Sequence, residues 1–192
     1  MKKKARRLTT GAITATAAVT FLAGSLLPGM EAKADGKSLQ KFHEAGPLVR
    51  TVRRETWKFR DVNEATAQGY AEFLGCVSSP HEGAMGVHFV NGGLVGDGAL
   101  DEGHPEALIY ELRHGRLKLV AVEYVVLADP WHAANEQPPV LDGQVFNYVG
   151  SPNRYGLPAF YELHVWAFKK NPHGTFADHN PRVSCEQYSS EL

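Results

Sequence analysis

The stretch Leu117–Leu127, LKLVAVEYVVL, is rich in β-forming residues and decides the fold class of the chain. Valine, leucine and tyrosine are typical of buried strands. Because side chains alternate between the two faces of a strand, Glu123 would share one face with aliphatic residues only: Leu117, Leu119, Ala121, Val125 and Leu127. A buried carboxylate is costly unless it is paired, protonated or bound to a cation. We therefore expect Glu123 to belong either to a site or to an arginine or hydrogen-bond network inside the sheet.

The segments on either side of this strand predict an antiparallel sheet. His114-Gly115 precedes the strand and is typical of a hairpin turn. The other segments with strand-like composition are Met85–Val90, Ala107–Leu112, Val145–Val149 and Ala159–Phe168. Asp129–Gly143, between the strands, is predicted to be a long loop because prolines interrupt it.

Helices are predicted before the sheet. Val49–Leu74 has apolar residues at three- and four-residue steps, and Asp61 and Asn63 would divide it into two shorter helices. Gly75 is a plausible stop signal. Helices followed by antiparallel strands indicate an α+β fold. We expect N-terminal helices packed on a curved antiparallel sheet or a small β-barrel.

Two histidines could complete a site around Glu123. His88 and His164 each lie in the middle of a predicted apolar strand. A single histidine of this kind is often an ordinary core residue, but three strands can direct three side chains to one point. Two imidazoles and one carboxylate leave open positions on a divalent transition metal ion such as Fe, Zn, Mn or Cu. His88, Glu123 and His164 are therefore the predicted metal ligands.

Other polar residues are weaker candidates. His104 and Glu106 flank Pro105 and could supply a further ligand, whereas loop residues are more simply explained as solvated. The loop residues in question are His81, Glu82, His173, Asp178 and His179. Glu162 would share a strand face with His164 and with aromatic residues that could wall a ligand pocket. The chain contains no nucleophile elbow, P-loop or dinucleotide fingerprint.

The N-terminus has the three parts of a secretory signal. Five lysines and arginines in the first seven residues precede the uncharged run Leu8–Leu27, and Ala32-Lys33-Ala34 follows. This pattern predicts a signal peptide over residues 1–34 and a single globular domain over residues 35–192. A membrane anchor is the alternative, but the threonines of the run and the A-x-A site favour cleavage. We expect a secreted or extracytoplasmic protein without a stable membrane anchor.

Composition narrows the possible partners. Removing the signal would leave 14 basic and 20 acidic residues, and an acidic chain is a poor candidate for binding nucleic acid. All nine histidines lie in the remaining part, which favours metal chemistry. Cys76 and Cys185 are the two cysteines, and in an exported protein an even number predicts a disulfide. A pair of thiolate metal ligands is the alternative.

Several segments carry a resemblance to known proteins: Gly83–Asn91, Val122–Val126, Tyr161–Trp166 and Phe176–Pro181. With them the chain resembles a group of small exported bacterial proteins without an assigned activity, over about Thr51 to Cys185. It also has a weaker resemblance to cupins, which implies metal ligands from two strand motifs inside a β-barrel. His88 would stand in the first motif and His164 in the second, although the H-x-H doublet of the first motif is absent.

Two functions are compatible with these patterns. The first is an exported metal-binding protein. Such a protein could be a mononuclear metalloenzyme that acts on a small organic molecule. The alternative is a non-catalytic extracellular module that binds a small molecule, in which the buried histidines and glutamate are structural. In that case five aromatic residues would line a pocket: Trp57, Phe146, Tyr148, Trp166 and Phe168.

Overall fold

The computed structural model describes residues 46–189, which lie in one compact unit. The predicted signal peptide falls outside the described residues. The helices are α1 (Pro47–Thr56), α2 (Val62–Ala67), α3 (Gly92–Asp97), α4 (Ala128–Ala134) and α5 (Glu186–Ser189), and a 3₁₀ helix (Trp57–Arg60) joins α1 to α2. The strands are β1 (Ala71–Ser79), β2 (Gly83–Val90), β3 (Ala107–Arg113), β4 (Arg116–Leu127), β5 (Val140–Leu141), β6 (Gln144–Val145), β7 (Asn147–Val149) and β8 (Phe160–Val165).

Six of these strands form one antiparallel sheet in the order β1-β2-β3-β4-β8-β7. The sheet curls into a half-barrel whose edges are β1 and β7, and β5 and β6 pair separately. Helices packed against a curved antiparallel sheet confirm the predicted α+β class. Of the two predicted forms, the open curved sheet is the one that the described residues adopt.

One face of the sheet packs against the N-terminal helices. Leu48, Val49 and Val52 of α1 join a large buried cluster with alternate residues of the strands. The strand residues of that cluster include Val87, Phe89, Leu108, Tyr110, Val122, Tyr124, Leu163 and Val165. His88, between Val87 and Phe89, therefore points to the opposite face. Burying one row of every strand against helices leaves the second face available for a site.

The helical prediction for Val49–Leu74 is wrong at its C-terminal end. Helix α2 stops at Ala67, Gly69 takes a positive φ of 88°, and β1 begins at Ala71. The apolar spacing continues through Tyr70 and Phe73, but Tyr70 packs against Phe59 whereas Phe73 pairs with His88 in the sheet. Three-residue spacing cannot distinguish a helix end from a buried turn followed by a strand.

A β-bulge in β4 changes the predicted row of Glu123. Ile109 pairs with Ala121 and Tyr110 with Leu119, so Val120 is an extra residue with no partner on β3. Leu119 accordingly joins the cluster under the helices, whereas Ala121 joins a smaller cluster. The prediction that Leu117 and Leu119 share a face with Glu123 is wrong, because alternation restarts after the bulge.

The C-terminal segment returns to the face opposite the helices. Ala84 and Asn180 exchange backbone hydrogen bonds of 3.3 and 3.0 Å across an isolated antiparallel bridge. Val183 then packs into the smaller cluster with Trp166, Ile109 and Ala121. The tail thus covers one end of this face and leaves the other end open.

A disulfide joins Cys76 of β1 to Cys185, across a sequence separation of 109 residues. The pair was predicted, but Cys76 lies within a strand rather than at a helix end. A disulfide is compatible with an oxidising compartment. No helix in residues 46–189 combines the length and the apolar character needed to cross a bilayer.

Candidate metal centre

Three strands bring the predicted ligands together on the face opposite the helices. His88 lies on β2, Glu123 on β4 and His164 on β8, and each has at most 8% of its surface exposed. One ligand atom from each residue lies within 4.8 Å of the other two. These three side chains could therefore hold one metal ion.

The strand register explains why the three side chains converge. Glu123 lies directly opposite His164, so the two are cross-strand neighbours on one face. His88 is separated from them by β3, where Ala107 pairs with Glu123. Since Ala107 has only a methyl group, it leaves room for the longer side chains to approach each other over β3. The curl of the sheet shortens the same distance.

The separations between the polar atoms are longer than hydrogen bonds. His88 Nε2 lies 3.6 Å from Glu123 Oε2, and His164 Nε2 lies 3.9 Å from Glu123 Oε1. Two ligand atoms of a tetrahedral zinc ion are about 3.4 Å apart, given bonds of about 2.1 Å. The spacing is therefore closer to that of two ligands of one ion than to that of a hydrogen-bonded pair.

The imidazoles lack the hydrogen bonds that buried nitrogens usually have. Both ring nitrogens of His164 and Nδ1 of His88 are buried without a partner in hydrogen-bonding geometry. Buried polar atoms without partners are rare in folded proteins, and each costs about 1–3 kcal/mol. A cation between the three side chains would satisfy His164 Nε2 and Glu123 together.

Both histidines are held in the neutral form that binds metals. Burial lowers the pKa of His88 to about 4, partly opposed by the backbone of Gly86. Burial also lowers the pKa of His164 well below its usual range, and the neighbouring His88 and His179 lower it further. A neutral imidazole has a free lone pair, so neither ring must lose a proton to bind a metal.

Glu162 makes a second buried carboxyl beside Glu123. Burial, with Glu162 as the next cause, raises the pKa of Glu123 well above its usual range. Burial raises the pKa of Glu162 to about 7, although its hydrogen bond with Glu123 opposes the change. Two adjacent carboxyls in an apolar site cannot easily both be ionised, so they share a proton when no cation is bound. A divalent cation would take the place of that proton.

Asp178 lies behind His164, where it can orient the ring. Its Oδ1 is 3.7 Å from His164 Nδ1 and accepts a hydrogen bond of 3.1 Å from Asn147. A carboxylate behind a metal-binding histidine is a common arrangement in metal sites. Glu162, His164 and Asp178 also have ligand atoms within 4.8 Å of one another, so they form a second group of side chains that could hold a cation.

An apolar cleft of about 450 Å³ opens directly onto the ligands. His88, Glu123 and Glu162 are among the residues that line it. The apolar wall consists of Ala71, Phe73, Leu74, Val77, Met85, Val90, Val95, Val125, Leu127, Leu157 and Phe160, with Tyr155 beside them. Its volume falls in the range of small-molecule sites, which are mostly apolar with a few polar groups. The buried polar cluster thus has a route to solvent.

The remaining polar candidates lie apart from the three ligands. His104 pairs with Asp101 at the surface over 2.9 Å, and Glu106 accepts a hydrogen bond of 2.9 Å from the backbone of Val125. His81 and His173 are exposed. His179 is different, since its Nδ1 lies 3.6 Å from Glu82 and its Nε2 is buried without a partner.

The five aromatic residues predicted to form a pocket do not line this cleft. Trp57 and Tyr148 are largely exposed, Phe146 and Trp166 are buried in the two apolar clusters, and Phe168 packs at the edge of the larger one. Phe73, Tyr155 and Phe160 line the cleft instead. Composition reveals the aromatic residues but not the face to which each belongs.

The sequence patterns do not predict three polar residues at or near the site as metal ligands: Glu162, Asp178 and His179. For Glu162 a signal existed, since it lies two residues before His164 and therefore on the same strand face. Asp178 and His179 lie in an irregular tail without periodicity. Their position depends on the bridge between Ala84 and Asn180, which the sequence pattern does not predict.

Comparison with known proteins adds no assignment. The resemblances to cupins and to small exported proteins therefore stay predictions. No protein family, no curated protein and no solved structure matches this chain.

Proposed function

We propose that this is an exported metal-binding protein in which His88, Glu123 and His164 hold one divalent transition metal ion. The observation that carries the proposal is the convergence of two neutral imidazoles and one carboxyl from three strands, with both ring nitrogens of His164 lacking hydrogen bonds. Two imidazoles and one carboxylate suit Fe, Zn, Mn or Cu better than Mg or Ca, which prefer oxygen ligands. Export is inferred from the N-terminal sequence, with which the disulfide is compatible.

The same centre could act on a small organic molecule. Three protein ligands leave coordination positions open, and the apolar cleft ends at two of the ligands. A bound ion would supply Lewis-acid or redox chemistry. Glu162 stands beside Glu123 as a group that can hold or accept a proton, and Asp178 would hold His164 in orientation.

The proposal is tested by titrating the purified protein with Co²⁺, whose visible absorption reports ligand binding. Wild type should take up one equivalent. His88→Ala and His164→Ala should each weaken binding by about 100-fold or more, since removing even an outer partner costs 10–100-fold. Asp178→Asn should weaken it about tenfold. His173→Ala, at an exposed histidine outside the cluster, is the matched control.

Unchanged Co²⁺ affinity in both His88→Ala and His164→Ala would contradict the proposal. Circular dichroism on each variant separates loss of a ligand from loss of the fold. Both variants should remain folded, because each removes buried nitrogen atoms that lack hydrogen bonds.

A non-catalytic binding module is the second candidate, and the proton shared between Glu123 and Glu162 favours it. In that case the shared proton satisfies the two carboxyl groups without a metal, and the cleft alone provides the function. Glu123→Gln distinguishes the two functions. The amide still forms hydrogen bonds and should be tolerated in a binding module, whereas it should abolish Co²⁺ uptake by a metal centre.

A further inference from the structure

In the metal-free protein, the described lining of the apolar cleft contains carboxyl groups and no basic side chain other than the neutral His88. Among the described lining residues, the charged or ionisable acids are Glu72, Glu123 and Glu162, and there is no lysine or arginine. A carboxylate or phosphate on a ligand would therefore meet carboxyl groups and no counter-ion. The cleft disfavours fatty acids, phospholipid headgroups and other anions.

The mouth of the cleft exposes large apolar side chains. Phe73 and Leu74 line it with 37% and 49% of their surface exposed. They lie at a β-bulge between Phe73 and Cys76, where Leu74 has a φ of 64°. A positive φ is unusual for a bulky residue such as leucine. The bulge presents an apolar surface at the entrance rather than in the core.

One hydrogen-bond donor in the cleft lining, the Tyr155 hydroxyl, has only a weak acceptor. The Tyr155 hydroxyl donates to the Met85 sulfur over 3.8 Å, which is a long bond to a weak acceptor. Tyr155, Glu162 and Glu123 line the same cleft. A protonated phenol next to a carboxyl can donate to one ligand oxygen while the carboxyl accepts from it.

We propose that the cleft binds an uncharged, largely apolar molecule whose hydroxyl group reaches Tyr155 and Glu162, which line the same cleft. The apolar wall takes the body of the molecule, and in the metal-free protein the carboxyl groups disfavour an anionic head. A bound metal ion would repel a cationic amine. This one step of the inference rests on the proposed function.

The test uses displacement of N-phenylnaphthylamine, an uncharged dye that fluoresces in apolar sites. The competitors decanol, decanoate and decylamine have the same chain and different heads. Wild-type protein should take up the dye. At neutral pH, decanol should displace it from metal-free protein at concentrations about tenfold lower than decanoate. From Zn²⁺-loaded protein, decanol should also displace it better than decylamine.

Two variants test the assigned residues. Val95→Lys places a cation on the half-buried cleft wall of α3 and should reverse the preference towards decanoate, whereas Val145→Lys, at an exposed valine outside the cleft, should not. Tyr155→Phe should weaken decanol about tenfold and leave dye uptake unchanged, since it removes one hydrogen bond to the ligand.

The inference is overturned if folded wild type takes up no dye, if decanoate equals decanol on metal-free protein, or if decylamine equals decanol on loaded protein. Its failure is distinguishable from that of the proposed function. Dye and decanol binding without Co²⁺ uptake would support the cleft and reject the metal centre. Co²⁺ uptake without dye binding would support the metal centre and reject the inference about the cleft.

Discussion

Four glutamates are buried among the described residues, and three of them, Glu111, Glu106 and Glu123, have different partners. Glu111 pairs with Lys169 over 2.6 Å, which is the ordinary solution for a buried carboxylate. Glu106 accepts a hydrogen bond from the backbone of Val125. Glu123 has a second carboxyl and two neutral imidazoles as neighbours, and no lysine or arginine is paired with it in residues 46–189. Glu123 thus lacks the cationic partner that neutralises Glu111, which supports the proposal of a metal site there.

Glu106 provides a test of the electrostatics outside the metal cluster. Burial, with Asp97 and Asp101, raises its pKa from 4.5 to about 8, and the Val125 N–H opposes this only in part. Between these values the folded state retains a proton that the unfolded state has released, so stability falls as pH rises and is level above about 8. The loss is at most about 5 kcal/mol.

Glu106→Gln cannot titrate and should lack this loss. As pH rises from 5 to 8, its free energy of unfolding should increase relative to that of wild type. Urea denaturation at several pH values would measure this difference. Glu136→Gln, at an exposed loop position, is the control and should follow wild type. A constant difference between Glu106→Gln and wild type over this range would show that Glu106 is ionised in the folded protein.

At the scale of elements, residue composition predicted most strands of the sheet but did not predict the irregularities of the sheet. The strands around His88, Glu123 and His164 were identified from β-branched and aromatic residues, which is why those three ligands could be named. The bulge at Val120 depends on the partner strand β3 and leaves no mark in its own sequence. The predicted loop Asp129–Gly143 contains α4 and β5, which tertiary contacts stabilise although the prolines disfavour regular structure.

Docking of the tail is controlled by Gly83, which has a φ of 90°. A Cβ at this position would overlap the carbonyl oxygen of Asn180, the residue whose bridge to Ala84 brings Asp178 behind His164. Gly83→Ala should lower the free energy of unfolding by about 2 kcal/mol or more, from the positive φ and the clash together. It should also weaken Co²⁺ binding about tenfold, as Asp178→Asn does.

Gly98→Ala is the matched control for this prediction. Gly98 has a φ of 66°, but a Cβ there would meet open space, so only the backbone cost of about 1 kcal/mol remains. Chemical denaturation and Co²⁺ titration of both variants would measure the two effects. Equal effects of Gly83→Ala and Gly98→Ala would mean that the tail does not position the site.

At the scale of the whole molecule, a sheet with two differently used faces explains how a chain of this size can hold a buried polar cluster. One face packs against helices, and the other is shared between the tail and the cleft. The disulfide joins β1 at the cleft mouth to the tail that covers the same face, and closing so long a loop contributes about 4–5 kcal/mol in the chain-entropy model. The sequence predicted the class of fold and the cysteine pair. It did not predict the cleft, because a cleft is formed by residues far apart in the chain.

The central claim is that the folded protein holds one transition metal ion between His88, Glu123 and His164. Elemental mass spectrometry of protein purified without an affinity tag from an exporting host tests it most directly. We expect about one equivalent of a single transition metal in wild type, lost in His164→Ala and retained in His173→Ala. Wild-type protein that is folded and carries no stoichiometric metal, even after incubation with Fe²⁺, Zn²⁺, Mn²⁺ or Cu²⁺, would contradict the claim.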